Sequence, residues 1–158
     1  MFKQFLTPEQ AFVKAKQYCS YQERSHAEVK EKLYKMGLTK TTVELTISKL
    51  IEEDYLNEER FVQQFAGGKF RMKHWGKIKI RYELKQKNIS DYLIKKALLV
   101  IDEDIYLQTI DKLLHKKWSS LKHEQYLQRT FKTTQYLLQK GFELNLIQDA
   151  LKKIKIKL

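Results

Sequence analysis

The sequence predicts an all-α protein: three tandem three-helix repeats stacked into an elongated, curved molecule. Its 158 residues include one proline and five glycines, too few for a turn-rich β protein. Apolar residues recur at three- and four-residue spacing, which is the period of an amphipathic helix. The same pattern returns after about fifty residues, as in repeat proteins. Because units of that size cannot bury their apolar faces alone, we expect neighbouring repeats to stack.

The repeat is visible as a helix end that occurs three times. In each copy a leucine stands four residues before a glycine or asparagine, and an apolar residue follows. Asparagine can replace glycine there because it tolerates the left-handed conformation that ends many helices. The copies are offset by 51 and 53 residues. The matching positions are Leu33, Leu84 and Leu137; Gly37, Asn88 and Gly141; Val43, Ile94 and Ile147; Thr46, Ala97 and Ala150; Ile47, Leu98 and Leu151; and Leu50, Ile101 and Ile154.

We place the first repeat at residues 7–56. Thr7, Pro8 and Gln10 predict a helix over 8–22, because threonine caps, proline suits the first helical position and glutamine completes a capping box. Ser25 and Glu28 form a second capping box, and Gly37 ends the helix that it opens. A third helix is expected over about 40–53.

We place the second repeat at 57–102 and the third at 103–158. Helices of the second repeat are expected to start at Asn57, Gly76 and Ser90. Gly67 and Gly68 are compatible either with a helix break or with a close helix contact. Helices of the third repeat are expected near 103–118, 122–140 and 144–157.

The basic residues are concentrated in the middle of the chain. The net charge of +12 divides into zero for residues 1–60, +8 for 61–101 and +4 for 102–158. A crowded cationic surface attracts polyanions, although a solvated lysine-rich helix is the simpler alternative. The predicted binding residues are Lys69, Arg71, Lys73, Lys77, Lys79, Arg81, Tyr82, Lys85 and Lys87.

A helical wheel over residues 76–87 sharpens this prediction. It places an apolar pair, Ile78 and Tyr82, opposite the core positions Ile80 and Leu84. Lys79, Lys85 and Gln86 flank the pair. The pair either packs on a helix of an adjacent repeat or forms the centre of a partner-facing patch with a cationic rim.

Patterns typical of enzymes and metal sites are absent from the sequence. It has no phosphate-binding loop and no dinucleotide-binding turn, and its four histidines are scattered. The acids of 52–59 are interpreted as solvated helix ends. We therefore expect no enzyme activity, no cofactor and no metal. The single cysteine, Cys19, fits a buried small side chain in a reducing compartment. The lack of a long apolar run or signal peptide predicts a cytoplasmic protein with no membrane contact.

Three segments carry a family resemblance. They are Glu23-Arg24-Ser25-x-x-Glu28-x-x-x-x-Leu33-x-x-x-Gly37, then Tyr55-Leu56-Asn57-Glu58-Glu59-Arg60-Phe61, then Gly76-x-x-x-Ile80-x-x-Glu83-Leu84-x-x-Lys87-x-Ile89. Together they resemble the RecX family of regulatory proteins over most of the chain, most specifically in the second repeat. The chain departs from the family at Gln22, where an arginine is common, with Arg24 one residue before Ser25 instead. It also departs at Asn88, where glycine is frequent.

The resemblance implies three three-helix repeats and a function. The expected partner is the RecA recombinase filament on single-stranded DNA, with possible direct DNA contact. The expected effect is modulation, usually inhibition, of RecA in homologous recombination, DNA repair and the SOS response. We expect the protein to act as a monomer, bound in the filament groove through its basic face.

Two other functions fit the residues. A direct nucleic-acid-binding regulator of helix-turn-helix type would use the same charge, although lysine reads bases less well than arginine, asparagine or glutamine. A structural adaptor could bind an acidic protein without DNA. Binding to naked DNA, to free recombinase and to the filament separates the three.

Overall fold

The computed structural model describes residues 5–157, with side chains up to Ile154. Within that range the chain forms nine α-helices and no strand, which confirms the all-α fold. Residue 158 of the predicted third repeat lies outside the described residues, and the boundaries 7–56, 57–102 and 103–158 stay a prediction. The helices are α1 (Pro8–Tyr21), α2 (His26–Lys35), α3 (Lys40–Glu52), α4 (Glu58–Lys73), α5 (Lys77–Gln86), α6 (Asp91–Leu99), α7 (Glu103–Ser120), α8 (Tyr126–Gln139) and α9 (Leu144–Lys157).

Helix starts follow the sequence closely. The Thr7 hydroxyl accepts the Gln10 N–H at 3.2 Å, and the Gln10 side chain accepts the Thr7 N–H at 3.1 Å, which completes the first capping box. The Ser25 hydroxyl accepts the Glu28 N–H at 3.1 Å. The carboxylate of Glu28 instead reaches Lys87 in the second repeat, at 3.1 Å. The second capping box is therefore replaced by a single cap and a bond between repeats.

The predicted start of α8 is wrong by four residues. The helix begins at Tyr126 because α7 continues to Ser120 and a turn follows. Leu121 is buried, and its N–H donates to the Trp118 carbonyl at 3.1 Å. Arg129 donates from Nε to the same carbonyl at 2.8 Å and lies 4.0 Å from the Trp118 ring centroid. These contacts hold the turn against the end of α7.

The buried residues form two separate cores. One includes Ala11, Leu33 and Leu50 and belongs to the first repeat. The other runs from Phe61 to Ile154 and joins the second and third repeats. The aligned leucines 33, 84 and 137 are all fully buried, as the repeat register predicts. Among the other aligned apolar positions, Ile101 is the exception to burial, because it lies beyond the end of α6 and is only half-buried.

The surface area fits a row of small units. The accessible area is 10617 Å² for a chain of 19.0 kDa. A compact monomer of that mass exposes about 8,400 Å² by the usual scaling. The excess is what three units exposing their sides would give, and it supports an elongated shape. Curvature of the array stays a prediction.

Candidate functional site

The nine predicted binding residues lie on α4, on α5 and in the turn that follows α5 within the second repeat. Lys69, Arg71 and Lys73 are on α4, Lys77 to Lys85 are on α5, and Lys87 caps its end. His74 connects the two helices in the left-handed conformation, with φ of 56°. All nine side chains are at least partly exposed. These residues do not form one patch. Lys69 and most of those on α5 separate into two groups that lie on different sides of α5.

One part is an aromatic–lysine cluster, which we define as Phe65, Trp75, Lys69, Lys79 and Lys87. The two rings meet edge to face, with centroids 6.2 Å apart. Lys69 Nζ lies 5.0 Å and Lys79 Nζ 4.6 Å from the Trp75 centroid. Lys69 Nζ and Lys87 Nζ lie 5.5 and 5.7 Å from the Phe65 centroid. Cation–π attraction of this kind holds ammonium groups together around an aromatic surface.

The second part is an outer stripe of α5, formed by Ile78, Arg81, Tyr82 and Lys85. Ile78 is 48% exposed and Tyr82 61% exposed, so neither side chain is buried against an adjacent repeat. Lys85 Nζ lies 3.4 Å from Asp91, and both side chains are mostly in solvent. The wheel grouped Lys79 with this stripe. The structure turns Lys79 towards Trp75 instead, because the ring offers its ammonium an aromatic face.

Two predicted binding residues are partly committed to contacts between repeats. Lys77 Nζ lies 3.1 Å from Glu103 and 4.6 Å from the ring centroid of Tyr106. Lys87 Nζ lies 3.1 Å from Glu28. A partner at these lysines would therefore compete with a carboxylate of the protein itself. Such competition makes them weaker candidates than Lys69 and Lys79.

The glycine pair on α4 is neither a break nor a helix crossing. Gly67 and Gly68 lie inside the helix. A Cβ on Gly67 would meet the Arg71 guanidinium at 2.8 Å, and one on Gly68 would meet Met72 at 3.6 Å. Both neighbours are flexible side chains of the same helix. Gly68, Lys69 and Met72 help to line a shallow cleft of about 290 Å³ beside Phe65.

Several residues at the repeat contacts were missed by sequence reasoning. Arg60 Nε lies 2.5 Å from Glu23 Oε1, and this hydrogen bond raises the pKa of Arg60. Glu58 accepts the His26 N–H at 3.2 Å. Within the second repeat, Glu59 pairs with Lys96 at 2.6 Å. The prediction that all the acids of 52–59 are solvated helix ends is therefore wrong. Their clustering in sequence was the available signal, but their cations come from other helices.

Tyr106 is another such residue. It is fully buried, its hydroxyl accepts the Lys77 N–H at 3.0 Å, and it donates to Glu143 at 2.5 Å. Burial, followed by the hydrogen bond to Glu143, raises the pKa of Tyr106 far above its usual value. Nothing in its sequence context distinguishes this tyrosine from the others.

The lysines and aromatic rings of this site can bind a partner non-covalently, and the described residues lack the groupings that other kinds of site require. Within the residues that the structure describes, no three histidine, cysteine, aspartate or glutamate side chains gather as a metal would require. Burial raises the pKa of the Cys19 thiol, so it is a poor nucleophile. Each helix in the described range is too short or too polar to cross a membrane.

Comparison with known proteins matches all three repeats. The models of the first, second and third three-helix domains of RecX match residues 11–50, 57–98 and 103–151. Regulatory protein RecX of Bacillus cytotoxicus is 28% identical over 93% of this chain and 54% of its own length. That of Bacillus thuringiensis is 25% identical over the same shares. The chain thus spans about half the length of the curated relatives it matches.

Two solved structures share the fold. The crystal structure of RecX from Lactobacillus salivarius superposes with a TM-score of 0.86 at 24% identity, covering 94% of this chain and 97% of that one. A second crystal structure of regulatory protein RecX gives 0.78 at 23% identity, covering 90% and 73%. The tandem arrangement of three-helix repeats is therefore one that related chains adopt.

Proposed function

The chain belongs to the RecX family, and we propose that it is a non-enzymatic inhibitor of the RecA recombinase. It binds in the groove of the RecA–DNA filament through the basic face of its second repeat. The observation that carries this proposal is the aromatic–lysine cluster. There Lys69 and Lys79 surround Trp75, and neither forms an ion pair within the described residues.

The physical basis is electrostatic attraction and occupancy. A recombinase filament presents DNA phosphates along a helical groove, and a cationic face associates with such a groove rapidly and in a salt-dependent way. Lysines held over aromatic rings are partly ordered before binding, so less side-chain freedom is lost. Filling the groove obstructs strand exchange without any chemical step. A cytoplasmic role in homologous recombination, DNA repair and the SOS response follows from this proposal.

A second candidate is a direct nucleic-acid-binding regulator of helix-turn-helix type. The feature that favours direct nucleic-acid binding in general is the proximity of Phe65 and Trp75 to three lysines, since aromatic faces and cations together bind single strands. Such a protein would need no recombinase. The two candidates predict different partners for the same surface.

The test is a comparison of three partners at matched salt. Purified protein is titrated with single-stranded DNA, with free RecA and with the RecA filament on the same DNA. We expect the filament to bind most tightly and filament growth to slow. Equal affinity for naked DNA and filament would support the second candidate and overturn the first.

The surface is tested by charge reversal. Lys69→Glu with Lys79→Glu should weaken filament binding by at least about tenfold at low salt, because two phosphate-facing cations become anions. Arg81→Glu with Lys85→Glu tests the outer stripe separately. Lys95→Glu with Lys116→Glu is the matched control, since both lysines are exposed and lie on other helices. If the control weakens binding as much as the cluster variant, the effect is net charge and not this surface.

A further inference from the structure

The first repeat has a basic cleft that its neutral net charge conceals. The cleft has a volume of about 590 Å³ and lies along α1, the loop after it and α2. Four cations line it: Lys14, Arg24, Lys32 and Lys35. Among the residues that the structure describes, no aspartate or glutamate lines it. Lys35 pairs with Glu31 at 3.0 Å, but both side chains are largely in solvent, where such pairs are weak.

Arg24 is held in place before any partner arrives. Its Nε donates to the Tyr18 carbonyl at 3.0 Å, and its guanidinium carbon lies 3.8 Å from the Tyr18 ring centroid. Lys32 Nζ lies 5.3 Å from the same ring. Two cations are thus fixed on one tyrosine at the wall of the cleft. Preorganised cations lose little freedom when they bind an anion.

Apart from Gln17, the rest of the described lining is apolar or aromatic. Leu6 and Met36 contribute apolar groups, and Tyr21, which is 83% exposed, contributes a ring whose centroid lies 5.9 Å from the Arg24 guanidinium carbon. The guanidinium of Arg24 already covers one face of the Tyr18 ring. A nucleobase has therefore less aromatic surface to stack on than two tyrosines would suggest. An aliphatic and aromatic floor inside a cationic rim fits a buried apolar side chain flanked by carboxylates.

We propose that this cleft binds an acidic peptide segment of a partner protein, anchored by one large apolar side chain. The cleft is large enough for such a side chain and the backbone beside it. Its residues are distinct from the basic face of the second repeat. The proposal therefore stands or falls independently of filament binding, and it gives Arg24 a role.

The test uses synthetic probes and fluorescence anisotropy. The anchored probe is a short labelled peptide of aspartate and glutamate around one phenylalanine. A second peptide has glycine in place of phenylalanine, and a third probe is a short oligothymidylate. The anchored peptide should bind the parent at least about fivefold more tightly than the glycine peptide, and oligothymidylate binding should not depend on the residues of the cleft. No saturable binding of the anchored peptide, or no preference for it over the glycine peptide, overturns the proposal.

Two variants locate the binding. Lys14→Glu with Lys32→Glu should weaken the anchored peptide by at least about tenfold. Lys30→Glu with Lys40→Glu changes the net charge equally at exposed lysines outside the cleft and should have less than about a threefold effect. Tyr21→Ala should reduce the preference for phenylalanine over glycine. Equal losses in the two double variants would show a diffuse charge effect, and oligothymidylate binding that falls as much as peptide binding in Lys14→Glu with Lys32→Glu would assign the cleft to nucleic acid. Either result overturns the proposal.

Discussion

The two junctions between repeats use equivalent positions, yet different forces hold them. At the first junction the start of α2 meets the end of α5, and at the second junction the start of α5 meets the end of α8. The first junction joins repeats 1 and 2, whose apolar cores are separate. The second joins repeats 2 and 3, which share one core. Comparing them shows which residues couple repeats rigidly.

At the second junction the two backbones touch. The Gly76 N–H donates to the Lys140 carbonyl at 2.7 Å, and the Ile78 N–H donates to the Gly141 carbonyl at 3.0 Å. A Cβ on Gly76 would meet the Gly141 backbone at 2.3 Å, so only glycine allows this approach. The ring of Tyr106 continues the contact inward, with its centroid 5.6 Å from that of Phe70 in the second repeat and 5.5 Å from that of Phe142 in the third.

At the first junction, side chains and not facing glycine backbones make the contacts between repeats. Ser25 and Asn88 stand where Gly76 and Gly141 stand in the second, at the start of a second helix and in the left-handed residue after the next one. Charged side chains make contacts there: Glu28 pairs with Lys87, Glu23 pairs with Arg60, and the Glu58 carboxylate accepts the His26 N–H. Salt screens such pairs, but it does not screen a buried ring or a backbone hydrogen bond.

The difference between the junctions coincides with the presence of glycine. Where Gly76 and Gly141 face each other, the two repeats share one core. Where serine and asparagine replace them, the contact becomes a set of partly exposed ion pairs worth little each. We expect repeats 2 and 3 to behave as one body and repeat 1 to move against it.

The largest expected effect comes from the equivalent leucines. Leu84→Ala should cost about 2–5 kcal/mol in the free energy of unfolding, since its side chain is fully buried. Hydrogen exchange should accelerate through repeats 2 and 3 together, because they share a core. Leu33→Ala should cost a similar amount but accelerate exchange in repeat 1 alone.

Leu137→Ala is the control for this comparison. Leu137 lies in repeat 3, so its exchange pattern should match that of Leu84→Ala and not that of Leu33→Ala. If Leu84→Ala accelerated exchange only within 57–102, the shared core would not act as one unit. Exchange rising across all three repeats in Leu33→Ala would mean that the first core is not independent.

Much of this fold could be predicted from sequence because its signals are local. The caps at Thr7, Ser25 and Asn57 and the left-handed residues that end helices are determined by neighbours within a few positions. The fusion of two repeats could not be predicted. It depends on Gly76 and Gly141, which are far apart in sequence and look like ordinary helix-end residues until they meet.

A smaller effect is expected from the hydroxyl of Tyr106. Tyr106→Phe leaves the Lys77 N–H and the Glu143 carboxylate without this buried partner, which should cost about 1–3 kcal/mol. The loss should appear in the unfolding of repeats 2 and 3, measured by denaturant titration. No change in the midpoint would mean that the hydroxyl does not stabilise the second junction.

The same tyrosine predicts a pH dependence. Because folding raises its pKa, its contribution is fully present below the unfolded pKa of about 10 and is lost as the pH rises beyond it. Between about pH 8 and pH 11 the parent should lose more thermal stability than Tyr106→Phe. Parallel losses in the two proteins would contradict this assignment.

The candidate site was harder to predict than the fold. The charge run identifies α4 and α5 as the candidate helices, but the period of a helix does not reveal which side of it a neighbouring residue covers. Trp75 lies just before α5 and draws Lys79 to one side, whereas Glu28 draws Lys87 from another repeat. Such contacts depend on tertiary geometry. For the same reason the cleft around Arg24 could not be predicted from the sequence.

The smallest expected effect concerns the charges of the first junction. Arg60 is 34% exposed, so Arg60→Ala should cost about 1 kcal/mol or less in the free energy of unfolding. Its effect on the relative positions of repeats 1 and 2 should be clearer, because Glu23 loses its partner. Salt at about 1 M, where the screening length falls to about 3 Å, should act in the same direction on the parent.

Spin-label distances can separate this loosening from a general loss of structure. Labels at Ser48→Cys and Gln86→Cys span the first junction, and labels at Gln86→Cys and Gln135→Cys span the second; all three positions are exposed. Cys19→Ala removes the native thiol, which is buried. Arg60→Ala and high salt should each broaden the first distance distribution and leave the second unchanged, because backbone hydrogen bonds and a shared core hold the second junction even when its Lys77–Glu103 pair is screened. Broadening of both distributions, or of neither, would remove the physical distinction between the junctions.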